Sequence, residues 1–237
     1  MSTTDFAVFL IDDDPSVLKA LTRLLQTAGY KTQAFSSSEA FLDEHDPSAP
    51  GCAVLDLTMP GLDGLELQQK LAGKATGRPI VFLTGHASVP ASVRAMKAGA
   101  VDFLLKPVKQ VDLLEAIGRA AALDKVARRA DEERRSVYLC LEKLTPRERE
   151  VLTHVIAGRL NKQIAADLGT VEKTIKVHRS RMMAKMGVRT VAALVRLTQK
   201  VSLQPYRAPN LLGPKANSTN RLNKAQISTH ADSDRGR

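Results

Sequence analysis

Five short strand-like runs punctuate the first half of this chain: residues 6–11, about 31–35, 52–56, 79–84 and 101–105. Between them lie longer stretches of helical period, and this alternation is the strongest constraint on the fold. Most of these runs are apolar enough for strands buried on both faces, and the intervening segments are long enough for crossover helices. Val17, Leu18, Leu21, Leu24 and Leu25 recur on one helical face, and Leu62, Leu65, Leu67 and Leu71 do so approximately. Gly29, Gly73 and Gly99 stand where helices should stop. Five such units predict an α/β domain: a doubly wound, five-stranded parallel sheet with helices on both faces. From about residue 110 a further helical pattern begins, with Val111, Leu114, Ala121 and Leu123 expected on the core side.

The ends of these runs carry the chemistry. Asp12, Asp13 and Asp14 follow the first run, Asp56 closes the third, Thr84 closes the fourth and Lys106 follows the fifth. In an open parallel sheet the carboxyl ends of the strands lie along one edge, where ligands bind. Carboxylates gathered there are costly unless a cation sits among them. The predicted site therefore holds a divalent metal ion and a phosphoryl group. A carboxylate can attack phosphorus to form an acyl phosphate. Magnesium accepts a few carboxylates plus phosphate oxygens and water.

Charge divides the chain. Residues 1–123 carry a net −3, 124–137 carry +1, 138–201 carry +8 and 202–237 carry +4. Only the second half is expected to meet a polyanion. Residues 124–137 are charged, rich in helix formers and free of Gly and Pro, which predicts a helical linker. Residues 138–201 show no strand pattern and read as four helices. Thr145, Pro146 and Glu148 form a capping box with proline at the first helical position. Val151, Leu152 and Val155 give the first helix its apolar stripe, and Ile164, Ala165 and Leu168 point inward from the second. A helix over about 171–186 follows Gly169, and a fourth runs over about 190–199. Two helices joined by a glycine turn suggest a helix-turn-helix. On its second helix Lys173, Lys176, Val177 and Ser180 share one face, flanked by Arg179 and Arg181. Such a face suits the major groove of double-stranded DNA. Ile175, His178, Met182 and Met186 lie on a different, more apolar face. Residues 202–237 have few large apolar side chains and read as a mostly disordered basic tail.

Other classes find little support. Cys52 and Cys140 are far apart, which argues against a disulfide framework or zinc site and fits a reducing cytoplasm. No stretch approaches a membrane span, and the first residues lack a basic secretory signal. Gly73, Lys74 and Ala75 do not make a phosphate loop, and the histidines lack ligand spacing.

Leu10 to Asp14, Leu55 to Gly64, Thr84 to Ala87, and Lys106 with Pro107 resemble the motifs of response-regulator receiver domains over roughly residues 5–123. The resemblance implies that Asp56 accepts a phosphoryl group from a sensor histidine kinase. It implies Mg2+ held by Asp13, Asp56 and the Thr58 carbonyl, with Asp12 acting mainly through water and Asp14 outside the usual acidic pair. Lys106, before a cis proline bond, would contact the phosphoryl oxygens, and Thr84 and Phe103 would form a switch pair. Residues 138–201 resemble the LuxR/FixJ-type DNA-binding domain through Leu144 to Leu152, Asn161 to Ala165 and Thr174 to Met186. That likeness implies base contacts from Lys176, Val177 and Ser180, with His178 a core residue. Family members often cap the reading helix with Ser or Thr where Val171 stands; Thr170 is the expected substitute.

The combination is similar to FixJ/NarL-type response regulators. It implies a transcription factor that dimerises on phosphorylation, binds promoter DNA and meets RNA polymerase, and that is no enzyme beyond its own phosphorylation and dephosphorylation. Two alternatives differ in class: a DNA-binding regulator that needs no phosphate, and a haloacid-dehalogenase-like phosphatase with Asp12 as nucleophile.

Overall fold

The computed structural model describes residues 6–72, 77–85 and 88–206. The first half builds β1 (Ala7–Ile11), α1 (Pro15–Thr27), β2 (Lys31–Phe35), α2 (Ser38–Glu44), β3 (Gly51–Leu55), α3 (Gly64–Ala72), β4 (Ile80–Thr84), α4 (Val89–Lys97) and β5 (Asp102–Leu105). All strand pairings are parallel, in the order β2-β1-β3-β4-β5. β1, β3 and β4 are buried at every position, as expected of central strands covered on both sides. Alternate side chains separate two cores. Phe9, Ile11, Leu55, Phe82, Leu67 and Phe41 fill one face with α2, α3 and α4. Val8, Leu10, Val54, Leu83, Leu25 and Ile117 fill the other with α1 and the next helix.

That next helix, α5, runs unbroken from Gln110–Glu142, through the charged stretch. Its buried face in the first half is Leu113, Ala116, Ile117 and Ala120. The expected face is corrected: Leu114 and Ala121 are half-buried, while Val111 and Leu123 are exposed. Apolar residues lie on most sides of its first turns, so periodicity does not set its phase there; contact with the sheet does. Of the expected helix stops, Gly29 and Gly99 end α1 and α4 at φ near +90°, where a Cβ is disfavoured. Gly73 lies outside the described residues.

The second half folds as α6 (Pro146–Ile156), α7 (Asn161–Asp167), α8 (Glu172–Lys185) and α9 (Val191–Gln199). Their core joins Val151, Leu152, Ile164, Ile175, Met182 and Leu194 with Val137 and Leu141 from the end of α5. The capping box at Thr145 is present in both directions. The expectation for Thr170 is corrected. α8 starts with Val171 at the N-cap and no side-chain cap. Thr170 sits one residue early, its amide donating to Ala165 O to close α7. The first residues beyond 202 also pack: Leu203 lies against the core, and Tyr206 stacks on His154 with 3.7 Å between ring centroids. Residues 207–237, the rest of the expected disordered tail, lie outside the described residues.

Glu148 does more than cap. Its carboxylate is buried, accepts the Thr145 amide at 2.9 Å and pairs with Lys185 Nζ at 2.6 Å, joining α6 to the end of α8. The Lys185 hydrogen bond, with the Thr145 amide, holds the carboxyl below the ordinary glutamate value of 4.5. Its folded-state pKa is depressed, so the stabilisation is present above pH 4.5 and is lost as pH falls through the lowered value. Glu148→Ala should cost about 1–2 kcal/mol. Hydrogen exchange of the α6 amides should show this loss near neutral pH and convergence with the unmodified chain in acid.

Candidate functional site

β1 and β3 are neighbours, yet their crossovers depart to opposite sides of the sheet. The strand order therefore reverses between them and leaves a crevice at their carboxyl ends. Asp12 follows β1 and Asp56 follows β3. Ladder bonds hold both: the Asp12 amide donates to Phe35 O at 3.1 Å and the Asp56 amide to Ile11 O at 2.9 Å. Lys106 follows β5 at the same edge, and its peptide to Pro107 is cis. Its Nζ lies 2.5 Å from Asp12 Oδ2 and 2.9 Å from Asp56 Oδ2, linking residues 94 and 50 positions apart.

Asp12 and Asp56 are buried, whereas Asp13 is exposed. Burial pushes the Asp12 carboxyl above its usual range, outweighing the Lys106 ammonium and the Asp14 amide that donates to Asp12 Oδ1 at 3.0 Å. Burial also draws Lys106 down, but its bonds to Asp12 and Asp56 prevail and hold it above the ordinary lysine value.

Carboxylate oxygens of Asp12, Asp13 and Asp56 lie within 4.8 Å of one another. Three carboxylates against one ammonium leave a formal −2 in a small volume. All are hard oxygen donors, so the set fits a divalent cation of the magnesium or calcium type. Asp14 stands apart from this set as the N-cap of α1, accepting the Ser16 amide at 2.8 Å. Thr58 approaches through its backbone, its amide 3.3 Å from Asp56 Oδ1.

Thr84 is buried at the last position of β4. Phe103 is half-buried on β5 with its ring 5.9 Å from that of Phe82. By strand alternation Thr84, Phe82 and Phe103 share one face of the sheet.

The second site is the exposed side of α8. Lys173, Lys176, Val177, Ser180 and Arg181 are all exposed. Lys176 pairs with Glu172 one turn earlier at 3.0 Å. Arg179 differs: it is half-buried, and its guanidinium donates to Asn161 Oδ1 at 2.9 Å, tying α8 to the start of α7. This partnership leaves no local signal in the sequence, because the hydrogen bond spans 18 positions. His178, expected in the core, is half-buried.

An acidic, lysine-bearing crevice at the reversal point of a parallel sheet, joined to a basic helix-turn-helix, defines a signal-receiving DNA-binding protein. The comparisons agree. The response regulator receiver domain matches residues 8–118, and the luxR family of bacterial regulatory proteins matches residues 142–198. Nodulation protein W of Bradyrhizobium diazoefficiens is 40% identical, over 85% of this chain and 89% of that protein. Transcriptional regulatory protein FixJ of Rhizobium meliloti is 40% identical, over 82% of this chain and 95% of that one. The solved structure of response regulator StyR is similar with a TM-score of 0.73 and 44% identity, covering 83% of this chain and 99% of that one. The chain belongs to the two-component response regulators that carry a receiver domain and a LuxR-type DNA-binding domain. It is a transcriptional regulator, its partners are a sensor kinase and DNA, and the phosphatase alternative is set aside. No helix among the described residues is long and apolar enough to cross a membrane.

Proposed function

We propose that Asp56 is the phosphoacceptor. In this reading a phosphohistidine of the sensor kinase gives up its N–P bond as an Asp56 oxygen bonds to phosphorus, and the histidine regains a proton from solvent. The observation that carries it is the Lys106 ammonium held between Asp12 and Asp56 at 2.5 and 2.9 Å, poised to meet phosphoryl oxygens. Asp13, Asp56 and the Thr58 carbonyl would hold Mg2+, with Asp12 acting through water; the ion would neutralise charge on the transferring group. The only reaction the receiver promotes is its own phosphorylation and dephosphorylation. The Thr84 hydroxyl then donates a hydrogen bond to the phosphoryl group, and Phe103 turns inward behind it.

Output follows through dimerisation. Val89, Val93 and Met96 on α4 and Leu105 on β5 are large apolar side chains at 77%, 45%, 46% and 56% exposure, a patch suited to a second receiver. Pairing brings two α8 helices to symmetric half-sites of promoter DNA, where RNA polymerase is met. The chain then divides into a receiver over 1–123, a helical linker over 124–137, a DNA-binding domain over 138–201 and a basic tail over 202–237, working in the cytoplasm. Promoter affinity measured with and without beryllofluoride tests it. Affinity should rise with the phosphoryl mimic; equal affinities would favour a regulator that needs no phosphate.

Lys176 and Val177 would read bases with Ser180, while Lys173, Arg179 and Arg181 would serve the backbone, Arg179 in part by holding Asn161. Lys176→Ala should weaken promoter binding by about 1–3 kcal/mol. Lys173→Ala should reduce the slope of log K against log salt by about one unit. Titrations at several salt concentrations measure both, and unchanged values in both variants would exclude this face.

A further inference from the structure

The charged stretch of α5 contains one buried residue. Between Ala120 and Val137 the helix exposes or half-exposes every side chain except Asp124, which is 6% exposed. Its neighbours in sequence are solvated: Leu123 is 54% exposed, and Lys125 is exposed too. A carboxylate does not bury itself without partners, and its partners here form a built structure at the amino-terminal edge of the sheet, opposite Asp56.

Arg128, one turn on, presents Nε to both Asp124 oxygens at 3.0 and 2.8 Å. Its two Nη groups donate to backbone carbonyls of the α2–β3 loop, to Ser48 O at 2.5 Å and to Ala49 O. A second guanidinium reaches the same loop. Arg78, 8% exposed, donates to Asp46 O at 2.9 Å and Ala49 O at 3.3 Å, and lies over the Phe9 ring at 4.1 Å. Gly51 leaves room for it: a Cβ there would stand 3.0 Å from Arg78 Nη1 and 2.3 Å from Ala7 O. The loop is itself braced, because the Asp46 carboxylate accepts the Ser48 amide at 2.8 Å and the Ser48 hydroxyl at 2.7 Å. Carbonyls of Asp46, Ser48 and Ala49 thus become a fixed seat for two planar cations.

We propose that Asp124 and Arg128 latch the interdomain helix onto this seat, so that α5 leaves the receiver at one angle and the receiver's mechanical boundary lies at Arg128 rather than near residue 123. A buried ion pair adds little net stability, since its desolvation offsets the attraction. What a planar guanidinium supplies is direction, through several bonds of defined geometry. Leverage makes direction matter. Without the latch no side chain of the helix is buried between Ala120 and Val137, about 25 Å at 1.5 Å per residue; with it that span shortens to about 13 Å from Arg128 to Val137, crossed by the solvent-exposed Lys200–Glu133 ion pair at 2.7 Å, which adds little stiffness. The same angular play therefore displaces the helix at Val137, where the DNA-binding core begins, about half as far. The inference rests on the division into receiver and DNA-binding bodies, and not on phosphoryl transfer at Asp56.

The test uses the full chain with spin labels at Lys19→Cys on α1 and Gln199→Cys on α9, both exposed positions, in a Cys140→Ser background. Cys52 is buried with its thiol pushed up to about 12, so it stays unlabelled. Pulsed dipolar spectroscopy should give a narrow distance distribution, widened by Arg128→Ala because the pivot moves back toward Ala120. Asp124→Leu with Arg128→Met replaces the pair by apolar groups. It should keep the urea midpoint yet show the wider distribution, which separates orientation from stability. Equal widths in the parent and both variants would overturn the latch. Loss of phosphoryl labelling in every protein would instead overturn the Asp56 reading and leave the latch standing.

Discussion

Asp56→Asn should abolish phosphoryl labelling while leaving the receiver folded. The amide is nearly the same size as the carboxylate, but its oxygen is a poor nucleophile toward phosphorus, and its nitrogen cannot accept the Lys106 proton. The backbone hydrogen bond from residue 56 to Ile11 O and the ladder of β3 do not involve the side chain, so the sheet persists. Lys106 keeps its second partner, Asp12, at 2.5 Å. Labelling by acetyl phosphate, quenched in acid, should fall at least about 10³-fold, equivalent to about 4 kcal/mol of barrier. Circular dichroism should remain that of the unmodified chain. Labelling at an unchanged rate would place the acceptor elsewhere.

Gly64→Ala carries the second large effect, from a residue with no chemistry of its own. A methyl group at Gly64 would lie 2.5 Å from the backbone oxygen of Asp56, 3.0 Å from the Phe82 ring and 3.1 Å from Leu57 Cα. Two of the three neighbours are backbone, so relief requires moving the turn that carries Asp56 and Thr58. Overpacking of this kind costs about 1–3 kcal/mol. Misplacing the reacting group should slow labelling by about 10-fold or more. Gly118→Ala is the counterpart: nothing lies within 4 Å of its Cβ, and it stands inside α5, where alanine is favoured by up to about 1 kcal/mol. Urea midpoints should thus move in opposite directions for one chemical change, and matching shifts would refute the packing account.

Much of the receiver was legible because its information is local. Apolar runs ending in Asp12, Asp56, Thr84 and Lys106 announce strand ends, and parallel strands align those ends at one edge. The acidic cluster and the lysine are found there together. The exposed face of α8 was legible for a similar reason: residues three and four apart on a helix are neighbours wherever the helix sits. Arg179 was on the right helix but in a different setting, since only the fold brings Asn161 to it.

The phase of α5 was not legible. Val111 and Leu123 look as apolar as Leu113 and Ile117, and contact with the sheet alone selects the inner set. Nor did the pattern single out Asp124 and Arg128 from the charged residues around them. Glu148 was read as a cap from its spacing to Thr145, whereas its ion pair with Lys185 spans 37 positions. Residues 207–237 lie outside the described part, so the basic tail rests on its composition.

Taken alone, the sequence determined the alternation of strands and helices, the order of the two domains and the side chains offered at each strand end, because these follow from periodicity and nearest-neighbour geometry. Tertiary structure decided which carboxylate the lysine meets, which side of α5 is covered and which charges of the connecting helix are buried, because those depend on distances between segments far apart in the chain.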